Sequence, residues 1–276
     1  MTLSADAQKQ DKINKAMQWL SEQPEQYPDS LSTQKLLIAL TTGVYNFTKT
    51  RMLTTKPETQ LSVSAALNAC LLKTLALLLE ARLYGNHKII KPPYNWPGQG
   101  GADKAVRVVH NLISQERGYQ FVFKTGIANY YASIDHELVY LQIRKLWKKP
   151  PAWVNLICQA MKAEINSHIG IINGSPLSHV LGSYYLSQLE QAFMHKESIR
   201  CVRHMDDIII LTKTRSSLHR AISTCRGIIA ALQLTLSYEQ TYVGKTNKEF
   251  NFLGHRFNGE PATVEFKQSS ERAHPK

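Results

Sequence analysis

The order of apolar and polar residues divides the chain into a helical first part and a mixed second part. Apolar positions at helical spacing predict helices over residues 5–22, 33–48, 63–83 and 103–112. The segment 91–101 contains three prolines and three glycines, which break both helical and strand hydrogen bonding. We therefore expect a loop between the third and fourth predicted helices.

From Tyr119 the pattern becomes that of a region that mixes helices and strands. Strands are predicted over residues 119–125, 198–203 and 208–211, around 236 and 243, and over 250–257. Helices are predicted over residues 135–147, 154–164, 177–194 and 217–232. Because helices and strands do not alternate as they do in a doubly wound sheet, the predicted fold class is α+β.

Composition limits the classes of protein to which the chain can belong. Its 276 residues, 43% of them hydrophobic, suffice for one sizeable core or two modest ones. The formal charge of +12 favours a polyanionic partner, with nucleic acid as the first candidate and a membrane surface as the second. Polar and charged residues interrupt the most apolar segment, 61–83, which therefore predicts a buried helix and no membrane span.

The cysteines and histidines give no sign of a metal or disulfide framework. The four cysteines lie far apart, without a C-x-x-C pair, and no hydrophobic signal segment follows the N-terminus. A reducing, cytoplasmic location is therefore expected. The histidines lack the spacing of zinc ligands.

Two adjacent carboxylates, Asp206 and Asp207, stand at the turn between the two strands of the central predicted hairpin. A pair of carboxylates at the end of an apolar strand is a candidate metal site. Aspartate also favours turns for conformational reasons alone, so the pair by itself leaves both interpretations open.

Four segments resemble, in order, the palm motifs of reverse transcriptases of the bacterial, group II intron and retron-like type. The first is FKTGIANYYASIDH at residues 123–136, and the second is GIINGSPLS at 170–178. The third is RHMDD at 203–207, and the fourth is FNFLGHRF at 250–257. One such segment is a weak signal, but four in the family's order over about residues 119–257 form a specific one.

The resemblance implies a right-hand polymerase palm, which is an antiparallel sheet with packed helices. By this interpretation residues 1–60 are an N-terminal helical extension and 61–118 are a fingers-like helical region with the Pro/Gly loop. Residues 119–257 are the reverse transcriptase palm and 258–276 a polar tail. Little sequence follows the fourth motif, so the resemblance implies a thumb that is short or absent.

The resemblance also implies RNA-templated DNA synthesis from a primer. Such enzymes transfer a phosphoryl group between two divalent ions about 4 Å apart, here Mg²⁺ or Mn²⁺. Asp206 is the implied metal ligand and Asp207 a supporting carboxylate. The implied partners are an RNA template, a DNA primer and deoxynucleoside triphosphates, and no membrane is expected.

Other roles carry over by position in the motifs. Tyr131 stands where an aromatic ring excludes the ribose 2′-hydroxyl, although core packing is the alternative. Asn173 and Gly174 stand where the family places residues against the incoming base pair, although a helix N-terminus would explain both. Lys104 and Arg107 follow the Pro/Gly loop, where fingers residues contact the triphosphate. The implied primer grip consists of Phe252, Leu253 and Gly254.

Several positions depart from the family's pattern: His204 replaces the aromatic residue before Met-Asp-Asp, Ile172 and Asn173 replace the usual Pro-Gln, and two further departures bear directly on catalysis. Gly126 stands where the family has the aspartate that bridges both metal ions, and its absence predicts a loss of about a thousandfold or more in rate. Asp135 is a poor replacement, because it is expected to cap the helix that follows. Gln240 stands where the family often has a lysine that is a candidate proton donor, and an amide cannot donate a proton usefully.

These observations leave two main hypotheses. The chain is either a reverse transcriptase, with Gly126 marking an impaired site, or a catalytically inactive relative that binds nucleic acid or a partner. Binding to a membrane surface is a third reading, which rests on net charge alone. The sequence leaves the oligomeric state open.

Overall fold

A computed structural model of the chain describes most of the region between residues 10 and 257. The described residues are 10–16, 18, 30–47, 63–84, 93–96, 98–115, 118–164 and 167–257. Residues 10–16 form helix α1, inside the first predicted helix. Apart from residue 18, the rest of that prediction and the polar tail lie outside the described residues.

The first part of the chain is helical, as predicted. Helix α2 covers Ser30–Thr42, α3 covers Val63–Tyr84 and α4 covers Gly101–Ser114. The prediction that α2 continues to Thr48 was wrong, because Gly43 takes a φ of +73°, a left-handed conformation that ends the helix. Among the described residues, no helix is both long and apolar enough to cross a membrane.

The second part of the chain forms a four-stranded antiparallel sheet. Its strands are β1 (Phe121–Ile127), β2 (Ile199–His204), β3 (Asp207–Thr212) and β4 (Leu236–Lys245), in the order β2-β3-β1-β4. Strand β4 is one element of ten residues, although two short strands were predicted there. Strands β5 (Phe250–Phe252) and β6 (His255–Phe257) form a separate hairpin.

Helices cover this sheet and connect its strands. Their bounds are α5 (His136–Arg144), α6 (Val154–Glu164), α7 (Pro176–Tyr185), α8 (Ser187–Phe193) and α9 (Arg215–Ala231). Asp135 caps α5 as predicted, since its side chain accepts a hydrogen bond from the Leu138 N–H at 2.8 Å. The single helix predicted over residues 177–194 was wrong. The chain bends at Leu186, where ψ is −1° and the carbonyl accepts from the Leu189 N–H at 2.9 Å.

The sheet separates two apolar cores. Phe123, Ile208 and Ile210 belong to the larger core, together with buried residues of α3, α5, α6, α7 and α9. Val122, Ile209 and Leu211 alternate with them along the strands and belong to the smaller core, with residues of α4 and of the β5–β6 hairpin. The predicted α+β class, an antiparallel sheet with packed helices, is therefore confirmed. The two faces of the sheet have different neighbours, which decides what surrounds the candidate site.

Candidate active site

The turn of the β2–β3 hairpin carries Asp206 and Asp207 and is held by side chains from outside the hairpin. His204 pairs with Asp207, so Met205 and Asp206 form the turn. Met205 has a φ of +55°, a left-handed conformation that costs a side-chain-bearing residue about 1–2 kcal/mol. Its N–H donates to Asn95 Oδ1 at 3.1 Å, and its carbonyl accepts from Arg203 Nη1 at 2.9 Å. Both backbone groups of the strained residue are thus satisfied by tertiary contacts.

Arg203 joins the turn to the helices behind it. Its side chain is almost completely buried, with 1% of its surface exposed, and Nε donates to Glu190 Oε1 at 2.7 Å. Nη2 donates to the carbonyl of Ser183 at 2.9 Å. One guanidinium therefore links α7, α8 and the hairpin turn, and the pair with Glu190 compensates its buried charge.

Asn95 joins the same turn to the Pro/Gly loop before α4. Its Nδ2 donates to Ser183 Oγ at 3.2 Å and lies 3.4 Å from His179 Nε2, both on α7. The next residue, Trp96, is buried and stacks on His179 with ring centroids 5.5 Å apart. No sequence motif singles out Asn95, because this loop matches none of the family segments.

The strand opposite the hairpin supplies no carboxylate. Thr125 of β1 pairs with Ile208 of β3, so the next position in register places Gly126 opposite Asp207. Gly126 is buried. Lys124, two residues earlier on the same face of β1, lies close enough to Asp207 to oppose in part the rise that burial causes in the pKa of its carboxyl.

Gln240 occupies the space where a side chain at position 126 would lie. Four residues of β4, 238–241, face the single residue Thr125 of β1, so β4 bulges at this point. The Thr241 hydroxyl, 2.8 Å from the Thr125 hydroxyl, donates to the Ser237 carbonyl at 2.6 Å and closes the bulge. A Cβ on Gly126 would overlap Gln240 Oε1 and would lie 2.9 Å from Gln240 Cδ. The two departures that bear directly on catalysis are therefore neighbours in space.

Burial and the neighbouring charge set the electrostatics of the aspartate pair. Burial raises the pKa of Asp207, and the carboxylate of Asp206 raises it further, while Lys124 and His204 oppose the shift. Burial also raises the pKa of Tyr131, and Asp206 contributes in the same direction. Burial lowers the pKa of His204. Tyr131, in the 3₁₀ turn Tyr130–Ser133, therefore lies near Asp206.

The other predicted site residues lie on three separate elements. Asn173 and Gly174 are exposed in the turn before α7, where Gly174 has a φ of +91°, so their position also fits the alternative of a helix N-terminus. Lys104 and Arg107 are exposed on α4.

The fourth motif forms the β5–β6 hairpin. Phe252 is buried in the smaller core. Leu253 and Gly254 form its turn with φ values of +51° and +78°. The roles of these residues against primer, template or triphosphate remain predictions.

The described residues do not fit the two-ion site that the motifs imply. No group of three or more His, Cys, Asp or Glu side chains able to hold a metal ion occurs among them. Asp206 and Asp207 supply carboxylates from one hairpin only. The facing position offers the neutral amide of Gln240, which cannot balance the charge of two divalent cations.

Comparisons with known proteins agree on the fold. A family model described as "Reverse transcriptase (RNA-dependent DNA polymerase)" matches residues 50–257. The structure of apo telomerase from Candida tropicalis, truncated from the C-terminal domain, matches with a TM-score of 0.53 and 13% identity over 68% of this chain and 44% of that one. Telomerase from Candida albicans, in complex with a TWJ fragment of telomeric RNA, matches with a TM-score of 0.52 and 12% identity over 71% of this chain and 39% of that one.

These matches differ in what they show. The chain spans less than half the length of either telomerase chain, and at this identity the likeness shows the fold alone. No curated protein matches the chain. The predicted polymerase palm is confirmed, whereas the group II intron and retron-like subtype stays a prediction.

Proposed function

The chain belongs to the reverse transcriptase family. We propose that it is a member that binds nucleic acid over Asp206, Asp207 and Gly126, a surface that we call the cleft, while its capacity for DNA synthesis is severely reduced. The observation that carries this proposal is the environment of Gly126. The family's third carboxylate is missing there, and the amide of Gln240 fills its space. A missing charged group in a polymerase site costs several kcal/mol of transition-state stabilisation, or about a thousandfold in rate.

Binding does not need the missing carboxylate. Duplexes of RNA and DNA are bound mainly through phosphates, and the formal charge of +12 supplies a favourable field for them. Lys104 and Arg107 are exposed on α4, and Lys124 lies on the face of the sheet that carries Asp207. The proposed ligand is an RNA template paired with a DNA primer.

Residual synthesis is the second candidate, and the state of the hairpin favours it. Asp206 and Asp207 are retained, their turn is fixed by Asn95 and Arg203, and Tyr131 lies beside Asp206. The left-handed conformation of Met205 is unfavourable, and specific contacts from Asn95 and Arg203 hold it. A strained turn that is held in this way favours a retained function for the turn. This candidate predicts slow incorporation of deoxynucleotides with Mg²⁺ or Mn²⁺.

Primer extension on an RNA template tests the proposal. The panel comprises the wild type, Gly126→Asp, Gln240→Ala and the double variant Gly126→Asp/Gln240→Ala, each with Mg²⁺ and with Mn²⁺. The new carboxylate in Gly126→Asp must compete with the Gln240 amide for the same space, so the double variant should be the fastest, by about a hundredfold or more over the wild type. Gln240→Ala alone should stay as slow as the wild type.

Two controls complete this experiment. Adding Asp206→Asn to the double variant should abolish its extension, which shows that the signal comes from this site. Fluorescence anisotropy with the same primer and template should give similar affinities for all variants. Rapid extension by the wild type that Asp206→Asn abolishes would overturn the proposal in favour of an ordinary polymerase, and the lack of salt-sensitive binding would overturn it altogether.

A further inference from the structure

Helix α9 carries a face of positive charge on the side of the sheet that lies away from the aspartate pair. Its buried residues Leu218, Ala221, Cys225 and Ile229 pack in the larger core with Phe123, Ile208 and Ile210. Asp207 and Gly126 alternate with those strand residues and therefore point to the opposite face of the sheet. A ligand on α9 and a ligand in the cleft are separated by the sheet.

The exposed side of α9 consists of cations and small residues. Arg215, His219, Arg220 and Arg226 are exposed, and the sequence of the helix, RSSLHRAISTCRGIIAA, contains no acidic residue. Among the residues that the structure describes, none of the three arginines forms an ion pair. Arg220 Nη2 donates to Ser217 Oγ at 3.4 Å.

A further lysine extends this face beyond the start of the helix. Ser217 Oγ donates to Ser198 Oγ at 3.4 Å, which brings the turn after α8 against α9. That turn carries the exposed Lys196, and its one acidic residue is Glu197. We call Lys196, Arg215, His219, Arg220 and Arg226 the α9 face.

We infer that the α9 face is a second nucleic-acid surface, which binds the phosphate backbone of a structured RNA or a DNA duplex independently of the cleft. Arg215 and Arg226 are eleven residues apart in one helix, a span of about 16 Å. At about 3.4 Å of axis per phosphate along one strand, this span matches about five phosphate steps. Arginine suits this task because its planar guanidinium binds phosphate oxygens through two hydrogen bonds.

The chemistry of the α9 face distinguishes nucleic acid from other polyanions. A helix that lies on a membrane inserts large apolar side chains beside its cations. A protein partner is usually gripped by exposed aromatic or large apolar residues. Of the large hydrophobic side chains that are exposed in the described residues, none lies on α9, and one, Met194, lies in the turn that carries Lys196.

The inference goes beyond the proposed function, and its test separates the two surfaces. The test variant is Arg215→Gln/Arg220→Gln/Arg226→Gln in the full chain. The matched control is Lys145→Gln/Lys148→Gln/Lys149→Gln, which removes the same charge from exposed lysines around the end of α5. Binding of a stem-loop RNA and of a DNA duplex of equal length is measured by fluorescence anisotropy over a range of salt concentrations.

The α9 variant should bind the preferred probe at least tenfold more weakly than the control at about 0.1 M salt, and its log–log salt slope should fall by about 2. A primer and template bound in the cleft should leave this second binding in place. A preference for one probe identifies whether the α9 face binds the RNA or the DNA backbone. Equal losses in the α9 and control variants would overturn the inference, since net charge would then explain the binding.

Binding to lipid vesicles tests the alternative that the α9 face binds an anionic membrane surface. Vesicles of phosphatidylserine and phosphatidylcholine should bind the α9 variant and the control equally. If the α9 variant loses vesicle binding and keeps RNA and DNA binding, the inference is wrong. Binding of primer and template in the cleft is measured in parallel for the α9 variant. If this binding is retained, the weaker binding of the probe at α9 does not result from unfolding.

Discussion

The two sides of the candidate site are built in opposite ways. The β2–β3 turn is fixed by residues from three other elements: Asn95 of the loop before α4, Ser183 of α7 through Arg203, and Glu190 of α8. The facing corner of β1 and β4 is filled by the end of one side chain, that of Gln240, which is exposed and forms no hydrogen bond with any described residue. The hairpin side is therefore held by several independent contacts, whereas a substitution on the facing side should change the free energy of unfolding only a little.

This difference explains how a palm can lose a carboxylate and keep its fold. Gly126 is not in a left-handed conformation, and the three atoms that lie nearest to a Cβ at this position all belong to the side chain of Gln240. A substitution at position 126 should therefore affect catalysis and leave the free energy of unfolding almost unchanged. A change at Arg203 disturbs three packed elements at once, because its partners lie on α7, α8 and the turn.

The largest expected effect is on the hairpin side. Arg203→Met leaves Glu190 partly buried without its partner, and we expect the free energy of unfolding to fall by about 3–5 kcal/mol. Urea unfolding measures the change. Adding Glu190→Gln should recover part of the loss, because the uncompensated carboxylate is then removed. Arg256→Met, which breaks the exposed pair of Arg256 with Glu249, serves as the control and should leave the stability close to that of the wild type.

A smaller effect is expected when the turn loses its acceptor. Asn95→Ala leaves the Met205 N–H unsatisfied and should cost about 1–2 kcal/mol. Hydrogen exchange at the Met205 amide should show this loss more clearly than the free energy of unfolding does. The Met205 amide should exchange its hydrogen about tenfold faster than in the wild type, since one hydrogen bond of about 1.4 kcal/mol corresponds to that factor.

Selective labelling makes this measurement practical. The chain contains six methionines, so ¹⁵N-methionine labelling isolates the Met205 amide, and Met161 inside α6 reports global unfolding. Asn95→Asp retains an acceptor oxygen and should restore most of the protection. A Met205 amide that exchanges in the wild type as fast as in a free peptide would contradict the assigned role of Asn95.

The smallest effect is expected at the facing corner. Gly126→Ala should change the free energy of unfolding by no more than about 0.5 kcal/mol, because the Gln240 amide can turn into solvent and alanine restricts the unfolded chain. In the Gln240→Ala background the same substitution should be slightly more favourable, with a coupling of about 0.5 kcal/mol. A double-mutant cycle by urea unfolding measures it. A cost of several kcal/mol for Gly126→Ala would mean that this corner is as constrained as the hairpin.

Local patterns in the sequence were sufficient for much of the fold. Helix α6 has the predicted bounds, the cap at Asp135 forms as expected, and the β2–β3 hairpin places its turn at Asp206. The bend at Leu186 was missed because the apolar positions on both sides of it are buried, so the pattern continues without a break through α7 and α8. The bulge in β4 was missed because its residues, including the 92% exposed Tyr238, read as two short strands with a gap.

The sequence by itself determined the family, the order of elements, the aspartate pair and the missing carboxylate at Gly126. These features depend on residues that are close together in the chain, where turn, cap and motif chemistry act. Only the tertiary structure decided that Gln240 fills the space at Gly126, that Asn95 holds Met205, and that α9 lies behind the sheet. The first two contacts join residues that are more than a hundred positions apart in the chain. The place of α9 depends on which face of the strands its side chains pack against. Tertiary side-chain packing determines all three, and no local sequence pattern records it.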